Sequence, residues 1–166
     1  MTSFHPHLSL QRAVPVMSLC LALVGGTLAH ADTLAPYPGT LTTPSPFAFA
    51  ETVSRLEKSI EANKMGLIAK ASASAGAAAR GVKIPGNAVL MIFRNDYAVR
   101  MLAASVPAGI EAPIRIYVTE DTDGKTSVTY RPPSAVFAPY ANAELDAMAR
   151  ELDPVFAKIV RDAVHS

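Results

Sequence analysis

The sequence predicts a small α/β (α+β) domain within a chain of 166 residues. Three patterns predict this class. An amphipathic helix leads directly into an apolar strand, a later strand pair alternates apolar with polar residues, and the C-terminal segment carries an apolar stripe at helical spacing. The predicted order is strand, helix, strand, short helix, strand, helix, hairpin and helix.

The first half of this domain is predicted to hold two strands around one long helix. Residues 40–43 can form a short edge strand, a position at which nearby prolines are tolerated. Gly66 is expected to end the helix in the left-handed conformation, before a strand over residues 67–71. A short helical turn closed by Gly81 follows. The helix is predicted from apolar residues spaced by four, three and four positions: Phe49, Val53, Leu56 and Ile60.

A continuous apolar run over residues 88–93 predicts a central strand buried on both faces. A helix is expected to follow it. Asn95 or Asp96 can cap that helix, with Val99 and Leu102 turned toward the core.

The next segment predicts a β-hairpin. Pairing Asp121 with Lys125 places Gly124 at the left-handed position of a three-residue loop, and the return strand runs over residues 125–131. The outgoing strand is predicted from apolar residues that alternate with polar ones: Ile114, Ile116 and Val118 against Arg115, Tyr117 and Thr119.

The C-terminal segment is predicted to be helical. Pro154 interrupts the pattern, either as a kink or as the first residue of a new helix. The predicted inward stripe consists of Leu145, Met148, Leu152, Phe156 and Ile159.

The N-terminus has the pattern of a secretory signal peptide. A weakly basic start precedes an apolar stretch over residues 13–28, and Ala29-His30-Ala31 supplies the small-x-small cleavage pattern. We expect cleavage after Ala31 and a periplasmic or secreted protein; an uncleaved anchor is the alternative. The predicted organisation is a signal peptide over 1–31, a linker or edge segment over 32–44, and one domain over 45–166.

Cleavage would remove most of the residues that support common chemistries. The mature chain would have 166 − 31 = 135 residues, without Cys20 and with His165 as its one histidine. Its 14 basic residues would match 14 acidic ones once Arg12 is lost. This composition argues against Ser-His or Cys-His catalysis, zinc or copper sites and nucleic-acid binding. We therefore predict no catalytic residue, no metal, no cofactor and no stable membrane insertion after cleavage.

Several segments together resemble the domain of unknown function 302 family. The opening helix over 49–56, the helix-ending Met65-Gly66-Leu67 and the strand 89–95 carry the resemblance. The hairpin from residue 112 to Tyr130 also supports this resemblance. The resemblance would span roughly residues 45–164, which is nearly the whole mature chain.

The resemblance implies a two-layer α/β sandwich, often assembled as a homodimer. With the strands predicted above, this is a mixed sheet of about five strands with helices packed on one face. The family strand commonly ends in a small residue or cysteine followed by Asn-Pro, where this chain has Arg94-Asn95-Asp96. No functional residue of the family is carried over.

The hairpin register suggests a binding site. It places Arg115 opposite Arg131 and Tyr117 opposite Thr129 on the face away from the core. Like charges across a strand pair destabilise it unless a counter-charge lies between them, so we predict that Arg115, Tyr117 and Arg131 flank an anion. The alternative is that both arginines extend into water or pair with a local acid such as Glu120.

A second candidate site lies at the end of the apolar strand. Arg94 and Asn95 stand where a strand end meets a helix N-terminus, which is a common location for ligands. The alternative is a capping Asn or Asp beside a solvated arginine. Tyr130 and Tyr140 are expected to lie at the edge of the core.

These patterns favour an exported, non-enzymatic binding or accessory module that recognises a small anionic ligand or an envelope partner protein. One alternative is an enzyme that depends on a carboxylate or tyrosine, with Asp96 or Tyr130 in its pocket. Another is a purely structural dimer in an envelope complex.

Overall fold

The computed structural model describes residues 1–2 and 37–165. The predicted signal peptide and Cys20 therefore lie outside the described residues. The strands of the described domain are β1 Leu41–Ser45, β2 Gly66–Ala71, β3 Asn87–Phe93, β4 Ile114–Glu120 and β5 Thr126–Tyr130. The helices are α1 Phe49–Ala62, α2 Ala73–Ala78, α3 Asn95–Ala104, α4 Pro133–Phe137 and α5 Ala143–Val164, with 3₁₀ turns at Val106–Glu111 and Ala138–Tyr140.

The strands form one sheet in the order β1-β5-β4-β3-β2. This confirms the predicted α/β sandwich with five strands. Every neighbouring pair is antiparallel, so the expectation of a mixed sheet is wrong in this respect. The reason is that α1 carries the chain from one edge of the sheet to the other, so β1 and β2 never become neighbours. The remaining neighbours follow one another along the chain or, like β1 and β5, meet antiparallel.

The core lies between the helices and one face of the sheet. Along β4, buried residues alternate with exposed ones, and the buried set faces α1, which in turn packs on α5. The Tyr130 ring packs on Phe156 of α5, with ring centroids 6.1 Å apart. The opposite face of the sheet, here called the open face, carries the residues that alternate with this core.

The prediction that β3 is a central strand buried on both faces is wrong. The central strand is β4, and β3 is buried only on the helix-facing side. Its other side chains, Val89, Met91 and Phe93, are half-buried on the open face. A continuous apolar run cannot distinguish a strand covered on both sides from one with an apolar side left on an open face.

The turn that ends α1 differs from the prediction in its left-handed residue. Lys64, not Gly66, has the positive φ, 57°. The amide of Met65 donates to the carbonyl of Ile60 at 3.0 Å, and the amide of Lys64 donates to that of Glu61 at 2.9 Å. These two bonds form a Schellman motif, which places the left-handed residue immediately after the C-cap Asn63.

The beginning of α3 also differs from the prediction. Arg94 occupies the N-cap position with an extended backbone, and no side chain within residues 37–165 caps the helix. Because the helix starts at Asn95, Tyr97 and Met101 turn toward the core, while Val99 and Leu102 are 59% and 45% exposed.

The hairpin and the last helix agree more closely with the sequence. The predicted register is confirmed, since Tyr117 pairs with Thr129, and Gly124 has a φ of 78° in the loop. The helix α5 continues through Pro154, so a new helix does not begin there, and the whole predicted stripe is buried. None of the described helices combines the length and the apolar character that a membrane span requires.

Candidate functional site

The antiparallel register of β4 and β5 brings two arginines together at one end of the hairpin. Ile116 pairs with Tyr130, so Arg115 of β4 and Arg131, which directly follows β5, lie one step further along. Both line a surface pocket of about 70 Å³. This pocket, here called the arginine pocket, is lined by Glu111, Ile114, Arg115, Arg131 and Val136.

The two guanidinium groups of the arginine pocket have no ion-pair partner within 4.0 Å in the described part of the chain. Arg131 donates a 3.3 Å hydrogen bond to the carbonyl of Ala135. From the sequence, Glu120 is a candidate ion-pair partner of these arginines. Its carboxylate instead accepts a 2.9 Å hydrogen bond from the amide of Gly86. The pocket therefore presents two positive charges whose nitrogen donors are largely free to bind an anion.

Among the described residues, Glu111 contributes the one carboxylate that also lines the arginine pocket. The phenol of Tyr140 donates a 3.1 Å hydrogen bond to Oε1 of Glu111. Desolvation, followed by this hydrogen bond and the charge of Glu111, raises the pKa of Tyr140. Tyr140 thus remains a protonated donor that holds the carboxylate in place. Sequence reasoning missed Glu111 because it lies in a 3₁₀ turn outside the hairpin.

Tyr117 lies on the open face but does not line the arginine pocket. Its side chain is 42% exposed and stands opposite Thr129, whose hydroxyl lies 2.8 Å from that of Thr42. Tyr117 therefore belongs to a polar row that crosses β4, β5 and β1. The predicted trio is only partly assembled, because two of its members share a pocket and the third lies beside it.

In the second candidate site, at the start of α3, the positive charge of Arg94 is already paired with a carboxylate. Arg94 forms two hydrogen bonds to Asp96, at 2.7 and 3.0 Å, and its guanidinium carbon lies 4.2 Å from the centroid of the Tyr97 ring. The bond from Arg94 lowers the pKa of Asp96. Asn95 is exposed at the first helical position and neither caps the helix nor lines a described pocket. This cluster is a closed ion pair rather than an open anion site.

Arg94 and Tyr97 also line an apolar cleft of about 30 Å³. Three methionines line it together with aromatic and aliphatic side chains, and it shares only Ile114 with the lining of the arginine pocket. Its lining is drawn from elements far apart in the sequence, which is why no local pattern could indicate it. The methionines are Met65, Met101 and Met148.

The two residues considered for an enzymatic role have pKa shifts opposite to those a general base requires. Asp96 has a lowered pKa and a side chain that is 63% exposed. Burial, followed by the charge of Asp153, raises the pKa of Tyr130, which keeps its phenol protonated. Among residues 37–165, no group of three His, Cys, Asp or Glu side chains is placed to hold a metal ion. The arrangement is suited to binding an anion through guanidinium groups.

The fold and this site define a class: an α/β sandwich with one five-stranded antiparallel sheet and a basic pocket at the end of its hairpin. The chain belongs to the family of the domain of unknown function DUF302, whose model matches residues 41–163. An uncharacterized conserved DUF302 protein from Bacillus stearothermophilus has a similar crystal structure, with a TM-score of 0.69. The two chains are 18% identical, and the match covers 76% of this chain and 99% of that one. No curated protein matches the sequence.

Proposed function

We propose that this protein is an exported, non-enzymatic binding or accessory module whose arginine pocket holds the anionic group of a small ligand or a partner protein. One observation carries the proposal. Arg115 and Arg131 line a single pocket, and neither has a carboxylate within 4.0 Å among the described residues.

The energetics of the hairpin support an anion at this position. Two like charges on neighbouring strands repel each other, which destabilises the pair by a few tenths of a kcal/mol to about 1 kcal/mol. An anion between Arg115 and Arg131 removes this repulsion and forms charge-assisted hydrogen bonds with both guanidinium groups. A carboxylate or phosphate suits the planar donor geometry of arginine, and a partner's acidic side chain presents the same chemistry.

The pKa directions favour binding over catalysis. A carboxylate or phenol that acts as a general base at neutral pH needs a pKa moved toward that pH. The pKa of Asp96 is lowered and that of Tyr130 is raised. The enzymatic alternative therefore lacks a general base whose pKa is moved toward neutral pH at either residue named for it.

Export and assembly are further parts of the proposal. The N-terminal pattern supports cleavage after Ala31 into the periplasm or the medium. The family resemblance supports a homodimer. Native mass spectrometry of the protein purified from the compartment to which it is exported tests both parts. Each subunit should have the mass of a chain that begins at Asp32, and the complex should have twice that mass. A subunit that retains residues 1–31 would contradict export with cleavage.

The binding site is tested by titrating the purified protein with propionate and with inorganic phosphate, followed by NMR or calorimetry. Arg131→Ala and Arg115→Ala should each weaken anion binding by about tenfold or more, because each removes one charge-assisted contact. Arg150→Ala is the matched control: it removes the same charge from an exposed position on α5 outside the arginine pocket and should leave the affinity unchanged.

An equal loss of affinity in Arg150→Ala and Arg131→Ala would indicate a general charge effect and contradict a specific pocket. If neither anion binds the unmodified protein, the hypothesis of a purely structural dimer is favoured instead.

A further inference from the structure

We infer that the arginine pocket recognises a small zwitterion, specifically a free α-amino acid, with its carboxylate on Arg115 and Arg131 and its ammonium group on Glu111. This inference rests on the proposed anion-binding function and names its ligand class. It is carried by the presence of both signs of charge in one small pocket.

The carboxylate of Glu111 is held in the pocket but does not form an ion pair with the arginines. Its Oε1 accepts the hydrogen bond from Tyr140, at 3.1 Å, and it forms no ion pair within 4.0 Å in the described part of the chain. Its second oxygen has no donor among the described side chains and is available to a ligand ammonium group. A pocket for a simple anion gains nothing from a carboxylate on its wall, because that charge repels the ligand.

The rest of the lining suits the aliphatic part of such a ligand. Ile114 and Val136 are buried at 8% and 7% exposure and supply the apolar surface of the pocket. Its volume of about 70 Å³ suits a compact molecule rather than a peptide segment. A small amino acid brings a carboxylate, an ammonium group and a short aliphatic side chain together within such a volume.

The test compares alanine with its two halves at constant ionic strength. Propionate is alanine without the ammonium group, and ethylammonium is alanine without the carboxylate. Alanine should bind the purified protein about two- to fivefold more tightly than propionate, which corresponds to one additional solvent-exposed charged contact. Ethylammonium should bind more weakly than either.

The variant Glu111→Gln identifies the group that contacts the ammonium. The glutamine amide oxygen can still accept the hydrogen bond from Tyr140, so the local structure is retained. In this variant the affinity for alanine should fall to that for propionate, and propionate should bind as well as before or better. Glu144→Gln, an exposed position on α5 outside the arginine pocket, is the control with the same charge change and should keep the preference for alanine.

The outcomes separate this inference from the function on which it rests. If propionate binds through the arginines but alanine binds no more tightly, the anion site stands and the zwitterion inference is overturned. The same conclusion follows if Glu111→Gln strengthens the binding of alanine and propionate equally. If no probe binds, both proposals fail.

Discussion

At the scale of single residues, the backbone at Gly86 and at Lys64 has special requirements that the side-chain pattern does not reveal. A Cβ atom on Gly86 would lie 2.5 Å from Cγ of Phe49, so the first turn of α1 rests directly on the backbone of Gly86. Lys64 adopts a left-handed conformation that glycine tolerates better than lysine does. The requirement at Gly86 arises from the close approach of two segments, and the one at Lys64 arises from the geometry of a helix end.

Gly86→Ala is therefore expected to destabilise the protein by about 1–3 kcal/mol, because the added methyl group must displace a partly buried aromatic ring. Urea denaturation measures the change. Gly76→Ala is the control, since its Cβ would have nothing within 4 Å and alanine is the better helix former within α2. We expect that control to be neutral or slightly stabilising. Equal effects at the two positions would contradict the contact with Phe49.

Lys64→Gly is expected to stabilise the protein by about 0.5–1 kcal/mol, because it removes the steric cost of a Cβ in the left-handed region. The greater freedom of glycine in the unfolded chain offsets part of the gain. Thermal unfolding should show the gain as a rise of a few degrees in Tm. Lys64→Ala keeps the Cβ and should show no such rise; if it matches glycine, the lysine side chain rather than the backbone is responsible.

At the scale of elements, side chains from one helix stabilise another at positions distant in sequence. Arg55 of α1 donates a 2.6 Å hydrogen bond to the carbonyl of Ala163 and another to that of His165, which satisfies carbonyls at the C-terminus of α5. Arg100 of α3 forms two 2.7 Å bonds with Glu151 of α5. These contacts fix the helices relative to each other on the same face of the sheet.

The pair of Arg100 and Glu151 gives a prediction on pH. Hydrogen bonds from Arg100 lower the pKa of Glu151 below its ordinary 4.5. A carboxylate whose pKa is lowered on folding stabilises the protein above its ordinary pKa, and this contribution is lost as the pH falls through the lowered value. Glu151→Gln should therefore reduce stability near pH 7 and make progressively less difference in acid, where the glutamate is also neutral.

Urea midpoints measured across this pH range test the prediction. Glu144→Gln, which forms no ion pair within the described residues, is expected to show a smaller loss near pH 7, limited to the interaction of this carboxylate with the N-terminus of α5. A Glu151→Gln deficit that persists unchanged in strong acid would show that packing, rather than the ion pair, is responsible.

At the scale of the whole molecule, the sheet has one covered face and one open face. Antiparallel sheets with a solvated face commonly carry polar residues there. On the open face of this sheet, Val89, Met91 and Phe93 are half-buried, and Tyr117 is 42% exposed. Such a surface is suited to packing against another protein, and a second copy of the chain is the partner that the proposed homodimer provides.

Placing a charge on the open face should therefore weaken the proposed dimer. In Val89→Lys, the new ammonium group would have to be desolvated at the interface, so sedimentation should show a shift from dimer toward monomer. Val99→Lys puts the same charge on the exposed side of α3 and should leave the dimer intact. A dimer that survives Val89→Lys would place the interface elsewhere, and a monomeric unmodified protein would contradict dimerisation itself.

The elements of this protein were predictable because each depends on local chemistry. The spacing of apolar residues over Phe49–Ile60 predicted α1, and the alternation of apolar and polar residues from Ile114 predicted β4. Gly124 predicted the loop that sets the hairpin register. That register depends on residues within one short segment, so the juxtaposition of Arg115 and Arg131 could be derived from the sequence alone.

Tertiary structure alone decided the remaining features, because they depend on contacts between segments distant in the chain. The sheet order exposes one side of β3, although its sequence is apolar throughout. The rotation of α3 follows from where the backbone leaves β3, and it turned Val99 outward. Only the folded chain brings Glu111 and its Tyr140 donor beside the arginines, because side-chain periodicity carries no information about which distant segments meet.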